Sequence, residues 1–497
     1  MKRNNIQGKL LDLIIDIYNK TECAIKMGGV RTEFFAITRG VRQGCPLSPI
    51  LFNLYVNDIF EIMNQDNESG IFLSKKIPIN ALMYADDLIL LSDNQEGLQK
   101  QIDKLSKYCD EWKLNINLKK TKIMIFNRGN NLIKSEFNIN KVVLENVKSM
   151  KYLGFTITSK NCSFLPTLDD LSIKAKRVIY ALNSKTTISR FPIKLALKLF
   201  DTLIKPILLY GTEVWGPYTN LDYIKWERSK IEMTHTQFLK RAIGCNFQSS
   251  NNMTRGEVGA RPLLIDVKIR TISYIKNILE RQDATVYSAL EFERNNVVEP
   301  NFVRYANVIT DDKIFIESKR KIKIMLQNDY DRYWNYKIME SPKTISYSKF
   351  KHNVSSEKYL INVKNIRHKI ALTRLRLSNH NLRIETGRHV RPKLERHERK
   401  CFICSDEIEN ELHFVVKCPL YSRERKVLYK ALTQNSKHFE SLTSDEHKFM
   451  FIMTNEDNDV MAKLAKFTFN SMQIREKVIK IENVHLCFQV RVLIDSL

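Results

Sequence analysis

The first 160 or so positions are built of short apolar runs cut by turn residues, and longer helical spacing takes over beyond them. Over 7–20, Leu10, Leu11, Leu13, Ile14 and Ile17 recur at helical intervals, and Asp12 and Asp16 stand one turn apart on the polar side, as a solvated face. Residues 21–38 alternate in places (Ala24, Ile25 and Met27 against Lys26 and Arg31) about Gly28-Gly29, which predicts a hairpin. Pro49 to Ile62 is spaced as a helix with proline in its first turn, where the missing N–H costs nothing. The polar stretch 64–80 reads as a loop. Ala81–Tyr84 and Leu88–Leu91 read as two buried strands joined by a tight turn. Leu98, Ile102, Leu105 and Cys109 give a helix, Trp112–Phe126 alternates well enough for a strand, and Lys151–Thr158 is another. From Asp169 onward the pattern is helical and basic: 192–216, where Pro206 should kink or end a helix, then 225–245 and 263–281. Residues 285–360 are mixed and polar, with no motif.

Between the two runs at 81–91 lie adjacent carboxylates, Asp86 and Asp87. Burying an unpaired carboxylate costs several kcal/mol, so a buried turn of this kind asks for a cation. Carboxylate oxygens suit Mg²⁺, which keeps positions open for substrate phosphates. The alternative is a solvated Asp-Asp turn on a surface hairpin.

Three further stretches bear on that choice. Residues 39–57 read Arg-Gly-Val-Arg-Gln-Gly-Cys-Pro-Leu-Ser-Pro-Ile-Leu-Phe-Asn-Leu-Tyr-Val-Asn, 117–121 read Asn-Leu-Lys-Lys-Thr, and 151–157 read Lys-Tyr-Leu-Gly-Phe-Thr-Ile. In this order, with Tyr-Ala-Asp-Asp at 84–87, they resemble the Gln-Gly, Tyr-Ala-Asp-Asp, Asn-x-x-Lys-Thr and Tyr-Leu-Gly motifs in the palm of non-LTR (LINE-type) retrotransposon reverse transcriptases. The resemblance implies an RNA-directed DNA polymerase acting on an RNA template, a DNA primer or target and dNTPs. It assigns Asp86 and Asp87 to catalytic Mg²⁺. It places Tyr84 near the primer terminus, Gln43 and Gly44 at the incoming nucleotide and template, and Tyr152, Leu153 and Gly154 under the primer strand. Gly44 is expected there because no side chain fits. Lys120 becomes a candidate for the leaving pyrophosphate, although it belongs to the run Lys119-Lys120-Thr121-Lys122, where a solvated face is the plainer reading. Segment 192–216 resembles the thumb-like region of the same family.

The family also places an aspartate-bearing strand and the fingers ahead of the Gln-Gly motif, and this chain shows neither. The resemblance therefore implies an N-terminally truncated palm, from a truncated element copy or an incomplete gene model, inactive alone. A non-catalytic nucleic-acid-binding remnant or co-opted protein is the alternative. Nuclear action is implied by resemblance only.

Composition narrows the partner class. The 497 residues carry a net charge of +25, which points to a polyanion, with nucleic acid first. With 43% apolar residues the chain can build ordinary cores, and no apolar run reaches the ~18 residues of a membrane span. The nine cysteines are mostly isolated, fitting a reducing compartment, except at Cys401-x2-Cys404-x8-His413-x4-Cys418. Thiolate and imidazole ligands in that number favour a closed, structural, tetrahedral Zn²⁺ site. It resembles the Cys-Cys-His-Cys segment near the C-terminus of LINE-type proteins, with Leu375-Arg376-Leu377-Ser378-Asn379-His380 upstream and Glu411-Leu412-His413-Phe414 within. A basic tract precedes it, and Arg388, Arg391, Arg396 and Arg399 are its expected phosphate contacts.

The expected fold is α+β: a polymerase palm-like antiparallel sheet with helices (1–165), a mainly helical thumb-like region (166–285), an unassigned connection (286–363), the basic tract with its zinc knuckle (364–430) and a helical tail (431–497).

Overall fold

The computed structural model describes residues 6–19, 21–37, 40–63, 70–74, 77–126, 135–159, 163–219, 222–281, 285–289, 317–405 and 407–494, the backbone alone at 73, 74, 77 and 480–494. The described residues fall into two compact units. One lies within 1–162 with 285–289, and the other comprises 163–281 and 317–494.

The first unit is α+β. Its helix Lys9–Asn19 buries Leu11 and Ile14 and leaves Leu10, Leu13 and Ile17 exposed. The hairpin at Gly28-Gly29 forms as the alternation predicts, pairing Lys26 with Arg31 and Met27 with Val30, both glycines at positive φ. The helix expected over 49–62 is two, Ser48–Tyr55 and Ile59–Met63, broken at Val56-Asn57-Asp58. Part of the loop expected over 64–80 is a bulged hairpin, Ile71–Ser74 against Ile77–Ile79. The helix at 98–109 is Gln95–Glu111, capped by Asn94, whose side chain accepts from the Gly97 N–H at 2.7 Å.

Two expected strands are corrected. Within Trp112–Phe126 only Lys122–Ile123 is a strand, paired parallel to Glu145–Asn146. Asn117 ends the alternation, because its side-chain and backbone oxygens accept from the Lys120 and Thr121 N–H groups and close a turn. Lys151–Thr158 is not one strand but the Ser149–Tyr152/Phe155–Thr158 hairpin, reversing at Leu153 (φ 46°) and Gly154 (φ 82°). The strands expected to join as one palm-like sheet form separate two-stranded ladders among the described residues, six antiparallel and one parallel. Two apolar clusters hold them to the helices. Ile59, Met63, Ala81, Tyr108 and Cys109 form one, and Ile102, Ile123, Phe137, Ile139 and Leu144 the other.

The second unit is helical. Its larger members are Leu165–Lys185, Lys230–Ile243, Leu264–Arg281, Lys319–Glu340, Ile366–Arg376, Ser422–Asn435 and Asn458–Ile494. The irregularity expected at Pro206 takes the form of a widened π segment, Phe200–Ile204, ahead of the short helix Lys205–Leu208. The unassigned stretch supplies core to this unit, since Tyr330, Trp334 and Tyr347 are fully buried. Trp334 Nε1 donates to Asn252 O at 2.7 Å.

Buried charge cross-links the unit. Glu232 accepts from Trp226 Nε1 and the Leu263 N–H on one oxygen, and from Arg255 on the other, where His235 Nδ1 also bonds, all within 2.7–2.9 Å. Burial pushes this carboxyl up, but Arg255 and His235 outweigh it and hold it down to about 2. Arg376, counted in the basic tract, is not a surface cation. It is 4% exposed, clamps Glu257 and Glu357, and donates to Met453 O. Among the described residues no helix is long and apolar enough to cross a membrane.

Candidate active site and metal centre

The Asp-Asp hairpin forms in the expected register, with Tyr84 opposite Asp87 and Ala85-Asp86 at its tip. Ala85 sits at φ 53°, a left-handed conformation that costs a non-glycine residue roughly 1–2 kcal/mol. The strands are not buried, contrary to the reading of their apolar runs. Ala81 is the buried member, Met83, Leu88 and Leu90 pack partly against the Tyr108 cluster, and Leu82, Tyr84, Asp86 and Asp87 are exposed. The Tyr108 cluster packs on the face that carries Ala81, Met83, Leu88 and Leu90, and Leu82, Tyr84 and Asp87 on the opposite face stay exposed.

A second turn lies close by. The Tyr152 hydroxyl is pushed up from its ordinary range by burial and then by the negative charge of Asp87. The Asp-Asp tip is therefore near enough for the charge of Asp87 to act on Tyr152 of the Tyr-Leu-Gly reversal. Two exposed carboxylates at a turn suit a cation such as Mg²⁺ that keeps water and phosphate ligands. Among the described residues, however, no third His, Cys, Asp or Glu joins them to complete a metal-holding group.

The Gln-Gly loop is set by the residue before it. Arg42 Nε donates to Thr21 Oγ1 at 2.9 Å and Arg42 Nη2 to Ile17 O at 2.6 Å, so the loop is tied to the end of the Lys9–Asn19 helix. Arg42 O accepts from Ser48 Oγ at 2.7 Å, which ties it to the next helix as well. Gln43 and Gly44 are exposed. Gly44 has φ +84° and open space where a Cβ would stand, so within this chain its backbone conformation calls for glycine, and crowding does not. Lys120 is exposed in the turn that Asn117 closes.

The C-terminal ligands come together. One ligand atom from each of Cys401, Cys404, His413 and Cys418 lies within 4.8 Å of all the others. A hydrogen bond from the Cys418 thiol, with lesser ones from His413 and the local backbone, outweighs burial and pushes the Cys401 thiol down, toward the form that binds a metal. Glu407 Oε2 lies 3.1 Å from His413 Nδ1, leaving Nε2 turned to the sulfurs, with Cys404 Sγ at 3.7 Å. A carboxylate on the far imidazole nitrogen is the usual way a ligating histidine is oriented. The donor set and its spacing fit Zn²⁺.

The motifs around the cluster serve the fold. Buried Glu411 accepts from Ser378 and Ser346 at 2.8 and 2.7 Å and pairs with His380 at 3.0 Å, joining the Leu-Arg-Leu-Ser-Asn-His run to the metal segment. Of the four expected phosphate contacts, Arg391 and Arg396 are exposed. Arg388 pairs with Glu385 at 3.1 Å. Arg399 is corrected: it is 5% exposed, and three of its N–H groups are held by Ile384 O and Leu394 O, so it is buried in the fold and not presented to a phosphate. Glu407 carries no motif signal in one sequence, and Arg42 and Glu411 lie within the quoted stretches without a role that the sequence assigns them. Their roles depend on partners that the fold alone brings near.

Comparison with known proteins agrees with this geometry. Residues 5–157 match the reverse transcriptase (RNA-dependent DNA polymerase) family. The chain is 29% identical over 111 residues (22% of the chain, 10% of the relative) to a Pol polyprotein from the type-1 retrotransposable element R2 of Nasonia vitripennis. It is 26% identical over 226 residues (44% and 35%) to the corresponding R2 protein of Popillia japonica. To the RNA-directed DNA polymerase from mobile element jockey of Drosophila melanogaster it is 23% identical over 231 residues (44% and 23%). The matched regions thus span between a tenth and about a third of these relatives. The order of the motifs and these matches identify residues 5–157 as a reverse transcriptase domain similar to those of non-LTR retrotransposon proteins.

Proposed function

We propose that the Asp86/Asp87 turn is the metal-bearing edge of a nucleotidyl-transfer site that extends a DNA primer on an RNA template with dNTPs. The observation that carries this is the Tyr-Ala-Asp-Asp hairpin, which presents both carboxylates exposed at its turn within the segment that matches the reverse transcriptase family, close enough for Asp87 to act on Tyr152. Bound Mg²⁺ would supply charge neutralisation of the transferring phosphate. The exposed carboxylates hold their oxygens toward solvent for that purpose, and Tyr84 and the Leu153-Gly154 reversal offer backbone and ring surface for the primer end. Arg42 fixes the Gln-Gly loop from behind, leaving Gln43 free toward nucleotide and template. At the C-terminus, Cys401, Cys404, His413 and Cys418 hold a structural Zn²⁺, oriented by Glu407.

The test is RNA-templated primer extension in Mg²⁺. The 497 residues alone give no extension, because the two carboxylates lack a third donor. A chain carrying the family's aspartate strand ahead of the Gln-Gly motif extends the primer, and Asp86→Ala abolishes that. Extension that survives Asp86→Ala refutes the assignment.

A further inference from the structure

The helical unit carries an exposed cluster of rings and cations that neither the Asp-Asp turn nor the cysteine cluster uses. It is built where the Lys230–Ile243 helix ends at Gly244, φ +71°. Three carbonyls at this turn are held by cations. Arg374 Nε donates to Gly244 O at 3.0 Å, Lys240 Nζ to Phe247 O at 2.8 Å and Lys343 Nζ to Gln248 O at 3.5 Å. The Asn246 N–H donates to Asn379 Oδ1 at 2.9 Å. These bonds fix the loop from behind and leave the Phe247 ring outside, 55% exposed.

Beside it, the Arg241 guanidinium lies over two rings, 5.3 Å from the centre of Phe247 and 5.0 Å from that of Tyr180, itself 58% exposed. Lys240 is buried and belongs to the fold, whereas Arg374 is exposed. Among the described residues no carboxylate ion-pairs with Arg241, Arg374 or Lys343. Lys343 does act on Glu385, whose own partner is Arg388.

Rings held rigid in water beside unpaired cations have the chemistry of single-strand binding: aromatic faces stack on bases of any sequence, and cations take the phosphates. A duplex hides its base faces in its own stack, so rings of this kind serve only unpaired bases. We propose that Tyr180, Arg241 and Phe247 form a stacking platform for an unpaired base of single-stranded nucleic acid, with Arg374 and Lys343 on the flanking phosphates. The platform joins the thumb-like segment to the basic tract, which the chain keeps some 130 residues apart. It deepens the template-binding part of the proposed function and is independent of Asp86 and Asp87.

The experiment uses the full chain, a labelled oligouridylate and a labelled RNA duplex, with binding read by anisotropy over a salt series. Phe247→Ala weakens oligouridylate binding roughly 5- to 150-fold, the span of base–aromatic stacking, and leaves duplex binding and the salt slope unchanged. Phe247→Trp retains single-strand affinity, and its added emission is quenched by the oligouridylate, which separates loss of the ring from loss of the fold. Arg374→Gln lowers the single-strand salt slope by roughly 0.7. Wild-type affinity in Phe247→Ala, or an equal loss for single strand and duplex, overturns the platform. Failure of the wild-type chain to bind either probe overturns the nucleic-acid reading as a whole.

Discussion

Glu232→Gln is the sharpest probe of how the helical unit is held together. The substitution keeps shape and volume, so it opens no cavity. Its effect is electrostatic. The carboxylate faces Trp226 Nε1 and the Leu263 N–H on one oxygen, and Arg255 and His235 on the other. An amide accepts at one end only, so its NH₂ must face donors whichever way it turns. Arg255, fully buried, retains only Glu227 as a partner. Breaking a buried pair from one side costs about 3–5 kcal/mol.

The acidity of Glu232 gives an independent figure. A carboxyl lowered from 4.5 to about 2 corresponds to on the order of 3 kcal/mol of folded-state stabilisation. Because the folded value is the lower one, the contribution is complete above pH ~4.5 and is lost as pH falls toward 2. At neutral pH, Glu232→Gln should therefore unfold at about 3 kcal/mol lower stability, roughly 5 °C in Tm for a unit of this size. Of the four tryptophans, Trp215, Trp226 and Trp334 lie in this unit, so emission under urea follows it. Between pH 4.5 and 2 the variant should lose less stability than wild type by the same amount. A variant within about 1 kcal/mol of wild type at pH 7 would refute the network as a source of stability.

The remaining predictions concern the metal and the basic tract. Native mass spectrometry of the chain should show one Zn²⁺, lost in Cys404→Ser; Glu407→Gln should keep the stoichiometry but weaken zinc affinity roughly 10- to 100-fold in a chelator competition. Arg391→Gln with Arg396→Gln should lower the slope of log K against log salt for single-stranded RNA by about 1.4, at roughly 0.7 per phosphate. Arg399→Gln should leave that slope unchanged and lower the Tm instead, since the buried guanidinium is bonded to Ile384 O and Leu394 O.

How much of this was legible in the sequence follows from the range of the interactions involved. The Asp-Asp turn, the Gly28-Gly29 hairpin and the cysteine cluster were readable because each rests on residues close in the chain, and their chemistry is local. Burial was misjudged where it depends on what lies across the ladder. Leu82 and Ile89 belong to apolar runs, but they point to the face opposite the Tyr108 cluster and stay partly open. The same cause, in reverse, misplaced Arg376 and Arg399. In a row of basic residues each arginine looks solvated, yet these two meet carboxylates or carbonyls, and for Arg376 its partner Glu257 is 119 residues away. A charge run thus sorts into two populations only when the fold is present. Arginines whose guanidinium is taken up by internal acceptors serve the fold, and exposed ones such as Arg391 and Arg396 remain for phosphate. That division makes the two arginine predictions diverge, one reading out in salt dependence and the other in stability. A sequence-only view would have assigned both to binding.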